Sequence, residues 1–238
     1  MNNGRRGGLL FFGLRVLNQS VAVATLFIAM PLTSHALTLG QIDDFQDGTA
    51  QSWQTGAGPV ANVANGGPAG TGDHFMQTVS TGGFSSDSRL TVFNTSQWQG
   101  DYIDAGITTI TMDLNNFSSQ PLSMRLTFFV DSSDGYSSTT PFSLAANSGW
   151  QHATFSLNAA AFTALGAPGD FNTLLSDFTG QLRLLDSSIP SLRGDSLAAT
   201  LGADNIQAVP EPSAIVMVGI GTAIGALMLL GRRYKWFR

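Results

Sequence analysis

Chemistry in this 238-residue chain would have to rest on aspartate, because the other reactive side chains are nearly absent. Cysteine is missing, which removes disulfides, thiolate metal sites and a cysteine nucleophile together. The single glutamate is Glu211, near the C-terminus. His35, His74 and His152 are the only histidines, and no two stand at the short spacing that holds zinc. Glycoside hydrolysis needs two carboxyls flanking the bond, one of them with a raised pKa. Here both would be aspartates, and no pair is marked out by its spacing. Serines abound without a Gly-x-Ser-x-Gly elbow to activate one. The glycine-rich run Gly58–Gly72 lacks the lysine of a phosphate-binding loop and precedes no helical pattern, so it reads as a flexible surface loop. The expectation is a non-catalytic protein, with a two-aspartate glycan hydrolase as the alternative.

Charge is partitioned along the chain. Between Leu37 and Val209 there are 15 aspartates against four arginines (Arg89, Arg125, Arg183, Arg193) and no lysine, eleven more acids than bases. Arg5, Arg6 and Arg15 precede that stretch, and Arg232, Arg233, Lys235 and Arg238 follow it. An acidic surface of this kind repels phosphate backbones, which argues against nucleic-acid binding and favours cations such as calcium.

Both ends read as addresses rather than architecture. An arginine-bearing start, the apolar run Val21–Met30 and the small-residue site Ser34-His35-Ala36 form a secretory signal, residues 1–36, with cleavage after Ala36 by signal peptidase. The run is too short to span a bilayer, which takes about 20 residues. Ser213–Gly231, by contrast, is 19 residues long without a charge. At 1.5 Å per residue it covers about 28 Å, close to the hydrocarbon thickness of a membrane. The basic cluster behind it favours a cytoplasmic C-terminus, and Tyr234, Trp236 and Phe237 suit the interface. Gly221 and Gly225 have the small-xxx-small spacing of a helix-dimer face, although such glycines more often reflect a tail kept thin and weakly packed.

In front of the apolar run stands Pro210-Glu211-Pro212. Each proline forbids helical geometry in the residue before it, so the motif is extended at the outer membrane edge, where a protease can read it. The order Pro-Glu-Pro, apolar helix, Arg232-Arg233 resembles the PEP-CTERM sorting signal of Gram-negative bacteria, here residues 209–238. The resemblance implies an exosortase as partner, a membrane-embedded transpeptidase-like enzyme that cuts such tails in species making exopolysaccharide. It implies export, transient anchoring in the inner membrane, and release to the cell surface or extracellular matrix.

Between these ends, residues 37–208 show strand alternation wherever a pattern is clear. In LSMRLTFFV, Leu122, Met124, Leu126, Phe128 and Val130 share one face, with Ser123, Arg125 and Thr127 on the other. ITTITMDL does the same with Ile110, Met112 and Leu114, and the two runs read as a hairpin joined from Asn115-Asn116 to Gln120-Pro121. SRLTVF, WQHATFSL and QLRLL read as further strands. Ala159–Ser176 suggests one or two helical turns, the second capped by Asp170. The fold class is therefore all-β, a jelly-roll-like β-sandwich.

DDFQDGTAQSW, SGWQHATFSL and LGADNIQAV are similar to the first, middle and last strands of carbohydrate-binding-module-like jelly rolls. That resemblance implies a structural calcium held by Asp204 with Asp44 and Asp47, whereas the residues by themselves favour a strand end capped by Asp204 and Asn205 and a solvated turn holding Asp43, Asp44 and Asp47. It also implies association with glycans such as exopolysaccharide. Jelly rolls hold sugars by stacking them on exposed aromatics. Trp98, Tyr102 and Tyr136, which lie in polar sequence contexts, are the best candidates for such a platform, with core packing the favoured alternative for Trp98; Trp53 and Trp150, beside strand starts, are expected in the core.

Overall fold

A computed structural model describes residues 37–210 of the chain. The expected secretory signal (residues 1–36), Glu211, Pro212, the apolar run and the Arg232-Arg233 cluster lie outside the described residues.

Fourteen strands form two antiparallel sheets. The first sheet contains β1 (Ile42–Asp43), β4 (Ala61–Val63), β5 (Phe75–Thr81), β7 (Thr109–Asn116), β11 (Gly149–Ser156) and β14 (Ala198–Val209), in the order β11-β7-β14-β5-β4 with β1 also on β14. The second contains β2 (Trp53–Thr55), β3 (Gly58–Pro59), β6 (Thr91–Asn94), β8 (Leu122–Phe129), β9 (Gly135–Ser138), β10 (Phe142–Leu144), β12 (Phe162–Leu165) and β13 (Gln181–Asp186). Its order is β12-β9-β8-β13-β6-β2-β3, with β10 also on β8. The expected all-β sandwich of the jelly-roll kind is the architecture found.

Alternation decides which side chains fill the space between the sheets. Ile110, Met112 and Leu114 enter from β7, Leu122, Met124, Leu126 and Phe128 from β8, and Leu182 and Leu184 from β13, all buried. On β14 the inward set runs Leu201, Ala203, then Ile206, Ala208. The change of parity comes from a bulge between Asp204 and Gln207, where Asn205 takes a left-handed φ of 49° and both faces keep their polarity. Asp170 caps α1 (Phe171–Leu175), the one α-helix among the described residues, accepting from the Thr173 amide as its sequence suggests. Among the described residues no helix is long and apolar enough to cross a membrane.

Three expectations are corrected here. β7 and β8 are not a hairpin: β7 pairs with β11 and β14, whereas β8 pairs with β9, β10 and β13, so the link between them crosses from one sheet to the other. Identical inward patterns occur on both walls of a sandwich, which is why alternation could not separate them. Val130 lies beyond the end of β8 and is exposed. The Gly58–Gly72 run is partly built into the sandwich, contributing β3 to one sheet and β4 to the other.

Candidate functional site

On the outer face of β8, polar residues do not simply meet water. Arg125 and Thr127 are buried because the segment 187–194 lies over them. Arg125 donates to the carbonyls of Ser187, Ser188, Ser138 and Thr139, and Thr127 to Ser137 and to the Ser191 carbonyl. Beside this covered half, the same sheet face opens into a cleft of about 370 Å³, lined among others by Phe84, Arg89, Phe93, Phe129, Arg183 and Arg193.

Sheet register builds the floor of the cleft. Arg183 on β13 faces Phe93 on β6 and Thr127 on β8, with Phe129 diagonal to it. Its guanidinium carbon stands 3.2 Å from the centre of the Phe129 ring and 5.7 Å from that of Phe93, a cation held between two aromatic faces. Nη1 donates to the Leu192 carbonyl at 2.6 Å, and Nε and Nη2 to Gln181 Oε1, so the side chain also pins the covering segment to the sheet. Burial, together with the neighbouring charge of Arg193, pulls the Arg183 pKa down to about 10, which still leaves it a cation at neutral pH.

Two loops form the walls. Arg89 joins them, donating from Nε to the Phe84 carbonyl and from Nη1 to that of Gly194. Phe84 projects from the first loop with 86% of its surface exposed. Three of the domain's four arginines thus line one cleft. Sequence reasoning missed it because these residues lie far apart in the chain and only strand pairing and the two loops unite them.

The expected sugar platform is elsewhere and closed. Trp98 and Tyr102 have no exposed surface and Tyr136 keeps only 7%, so none can receive a pyranose face. The polar context that suggested exposure is an internal network. The indoles of Trp53 and Trp98 both donate to Asp43 Oδ2, at 2.7 and 2.6 Å, and Gln97 adds a longer contact to the same carboxylate. Tyr102 donates to the Trp98 carbonyl and stacks edge-on against Phe128; Tyr136 donates to the Gly169 carbonyl and meets Phe171. Trp53 is core, as its position suggests, but Trp150 is half-buried on the outer face of the first sheet, against Phe75 and Phe117 above Gly202.

Of the aspartates considered for calcium, Asp204 and Asp44 come near one another and Asp47 does not join them. Asp47 is spent on its own turn, accepting from the Thr49 amide and hydroxyl. Asp204 lies on the outer face of β14, opposite Asp113. Its Oδ1 accepts from the Asn205 amide, while Oδ2 is buried without a partner. Burial, with the charges of Asp73, Asp113 and Asp44 behind it, pushes its pKa up to about 7. Asp113 in turn receives Asn205 Nδ2 and stands 2.9 Å from His152 Nδ1. An orphaned carboxylate oxygen among further acids is what a hard cation relieves. Among the described residues no three His, Cys, Asp or Glu side chains stand together at ligand spacing, so backbone carbonyls would have to complete a calcium shell. His74 is engaged with Asn62 Oδ1.

The carboxyls whose pKa is raised, as a catalytic acid requires, are Asp43, Asp186 and Asp204, in each case chiefly by burial. All three are sealed from solvent.

No family model matches this sequence, and no curated protein does. Solved structures do share the architecture. One is an exo-β-agarase, at a TM-score of 0.51 and 12% identity, matched over 73% of this chain and 25% of that one. A family 11 carbohydrate-binding module from Clostridium thermocellum, in complex with a β-1,3-1,4-mixed-linked tetrasaccharide, matches at 0.44 and 14%, covering 73% of this chain and 97% of that one. A family 11 module of a cellulosomal cellulase from the same organism matches at 0.44 and 13%, over 74% and 96%. The chain spans about a quarter of the length of the agarase it matches, and the likeness is one of fold.

Proposed function

We propose that this chain is an exported surface or extracellular-matrix protein whose sandwich associates with exopolysaccharide without cutting it. The observation that carries the glycan part is the cleft on the outer β6–β13 face: the exposed loop ring Phe84 and the half-buried strand ring Phe93 beside guanidinium donors, an apolar surface and hydrogen-bond donors on which a sugar can be stacked and oriented. A fold shared with part of an agarase chain is compatible with that role. The two-aspartate hydrolase is the weaker reading, because the carboxyls with raised pKa lie where no glycosidic oxygen can reach them.

The ends supply delivery in this reading. Residues 1–36 direct export, the apolar run holds the protein in the inner membrane with its C-terminus in the cytoplasm, and exosortase cuts at Pro210-Glu211-Pro212. In support, β14 ends at Val209, so Pro210 follows directly on the last described strand. A structural cation, calcium by its oxygen preference, sits beside Asp204 in this account.

A glycan array probed with the full-length chain tests the central part. Binding is expected and should fall in Phe84→Ala and Phe93→Ala, with no new reducing ends released. Silence on every glycan, or binding indifferent to both substitutions, would remove the cleft from the account.

A further inference from the structure

The cleft contains more positive charge than a neutral sugar needs. The domain has eleven more acids than bases, yet among the described residues the only oppositely charged pair within 4.0 Å is His152 with Asp113. None of the four arginines is matched to a carboxylate. Asp195, whose charge acts on Arg89 and Arg125 from further away, turns its oxygens to Ser187 Oγ and the Ser188 amide. In a chain with so many aspartates, three guanidinium groups share one cleft without a carboxylate partner among the described residues, and Arg183, its pKa lowered first by burial, also feels the charge of Arg193.

Structural duty does not use up their donors. A guanidinium has five N–H groups. Arg89 commits two of them and Arg183 three, all to uncharged acceptors, and Arg193 commits none to the described residues. The uncommitted groups line the same cleft as Phe84, Phe93 and Phe129. Planar forks of this type suit carboxylate and sulfate oxygens, and the rings suit the apolar face of a pyranose.

We infer that the cleft selects acidic polysaccharide: it takes a sugar carrying an anionic oxygen group, a uronate carboxylate or a sulfate ester, placing the anion against Arg89, Arg183 and Arg193 and the ring against the phenylalanines. The inference rests on the glycan-associated role proposed above and narrows it to one charge class. It also fits the rest of the surface, since an acidic domain gains retention on an acidic matrix only through a localised cationic site.

The test is binding of the full-length chain, in mild detergent, to immobilised agarose (neutral), polygalacturonate (carboxylated), carrageenan (sulfated) and polyglutamate (anionic without sugar). One or both acidic glycans should bind at least about tenfold more tightly than agarose, with affinity falling as salt rises. Arg193→Gln should weaken that binding at least about threefold and Arg193→Glu at least about tenfold. Because the Arg193 side chain makes no hydrogen bond within the described residues, both variants should keep the wild-type melting temperature. Which acidic glycan binds distinguishes carboxylate from sulfate. Agarose binding equally well, or an unchanged affinity in Arg193→Glu, would overturn the charge assignment while leaving the glycan reading intact. Polyglutamate bound as tightly as the acidic glycans would overturn the sugar requirement. Absence of all glycan binding would bring down both.

Discussion

Replacing Asp204 by asparagine should stabilise the domain at alkaline pH and leave it unchanged in acid. The carboxyl is fully buried, one oxygen lacks a donor, and Asp73, Asp113 and Asp44 stand near it, so its pKa is about 7 against 3.8 for a free aspartate. A folded-state pKa above the unfolded one means that the native protein binds more protons across that interval. Its stability is then complete below about pH 4 and falls as pH rises through 7. Three pH units at 1.36 kcal/mol each amount to about 4 kcal/mol. In a domain of this size that is roughly 8–16 °C in melting temperature. Asparagine keeps the acceptor for the Asn205 amide and presents an amide N–H toward the neighbouring carboxylates instead of a fourth charge. Urea unfolding of both proteins in chelator at pH 5 and pH 9 measures the effect. Asp204→Asn should exceed wild type by about 1–2 kcal/mol at pH 5, already above the free aspartate value, and by about 4 kcal/mol at pH 9. If a cation belongs beside Asp204, added calcium should raise the wild type at pH 9 and leave the variant unmoved. Two parallel pH profiles in chelator would refute the argument.

Three further outcomes follow from particular contacts. Trp98→Ala should cost about 3–5 kcal/mol in denaturant unfolding through the cavity it leaves. Trp98→Phe should cost about 1–2 kcal/mol, through the smaller cavity and the loss of one of the donors shared by buried Asp43 Oδ2, which keeps those of Trp53 and Gln97; if either variant instead abolishes glycan binding at full stability, the core assignment is wrong. Gly202→Ala would bring a methyl to 2.9 Å from Phe117 and 3.0 Å from Trp150, so it should destabilise by about 1–3 kcal/mol and alter tryptophan fluorescence, and an unchanged spectrum would contradict the packing described for that face. The intact mass of protein recovered from its native host should correspond to a chain beginning at Leu37 and ending within Pro210–Pro212, while Glu211→Gln should leave the tail attached; a mature form retaining the tail, or indifference to the substitution, would remove exosortase processing from the account.

What could be read from residues alone was the wall of the sandwich. Apolar residues alternate in β7 and β8 because each strand turns one face to the dry core, and that periodicity is a local property of the chain. Sheet membership is not local, and β7 and β8, with equivalent inward faces, were assigned as a hairpin although they lie in opposite sheets. The same limit governs the site. Trp98 and Tyr102 sit among polar neighbours because their polar atoms are satisfied internally, by Asp43 and the Trp98 carbonyl, so local polarity marked a buried network as a surface. Asp204 entered only through the resemblance to carbohydrate-binding-module-like jelly rolls, as a calcium ligand, whereas Asp73 and Asp113, which act on it, come from other strands and loops. The arginine cleft left one faint trace in the sequence: four cations in a stretch with 15 aspartates are few enough that their grouping would need a reason.

The claim on which the rest depends is that glycan meets this domain at the outer β6–β13 face. Hydrogen–deuterium exchange of the full-length protein, with and without the polysaccharide that binds it most tightly in the four-matrix comparison, tests that directly. Slower exchange is expected in the two loops that carry Phe84, Arg89 and Arg193, with no change at Thr109–Asn116 on the opposite sheet. Protection confined to that opposite sheet, or none in either loop under saturating glycan, would contradict it.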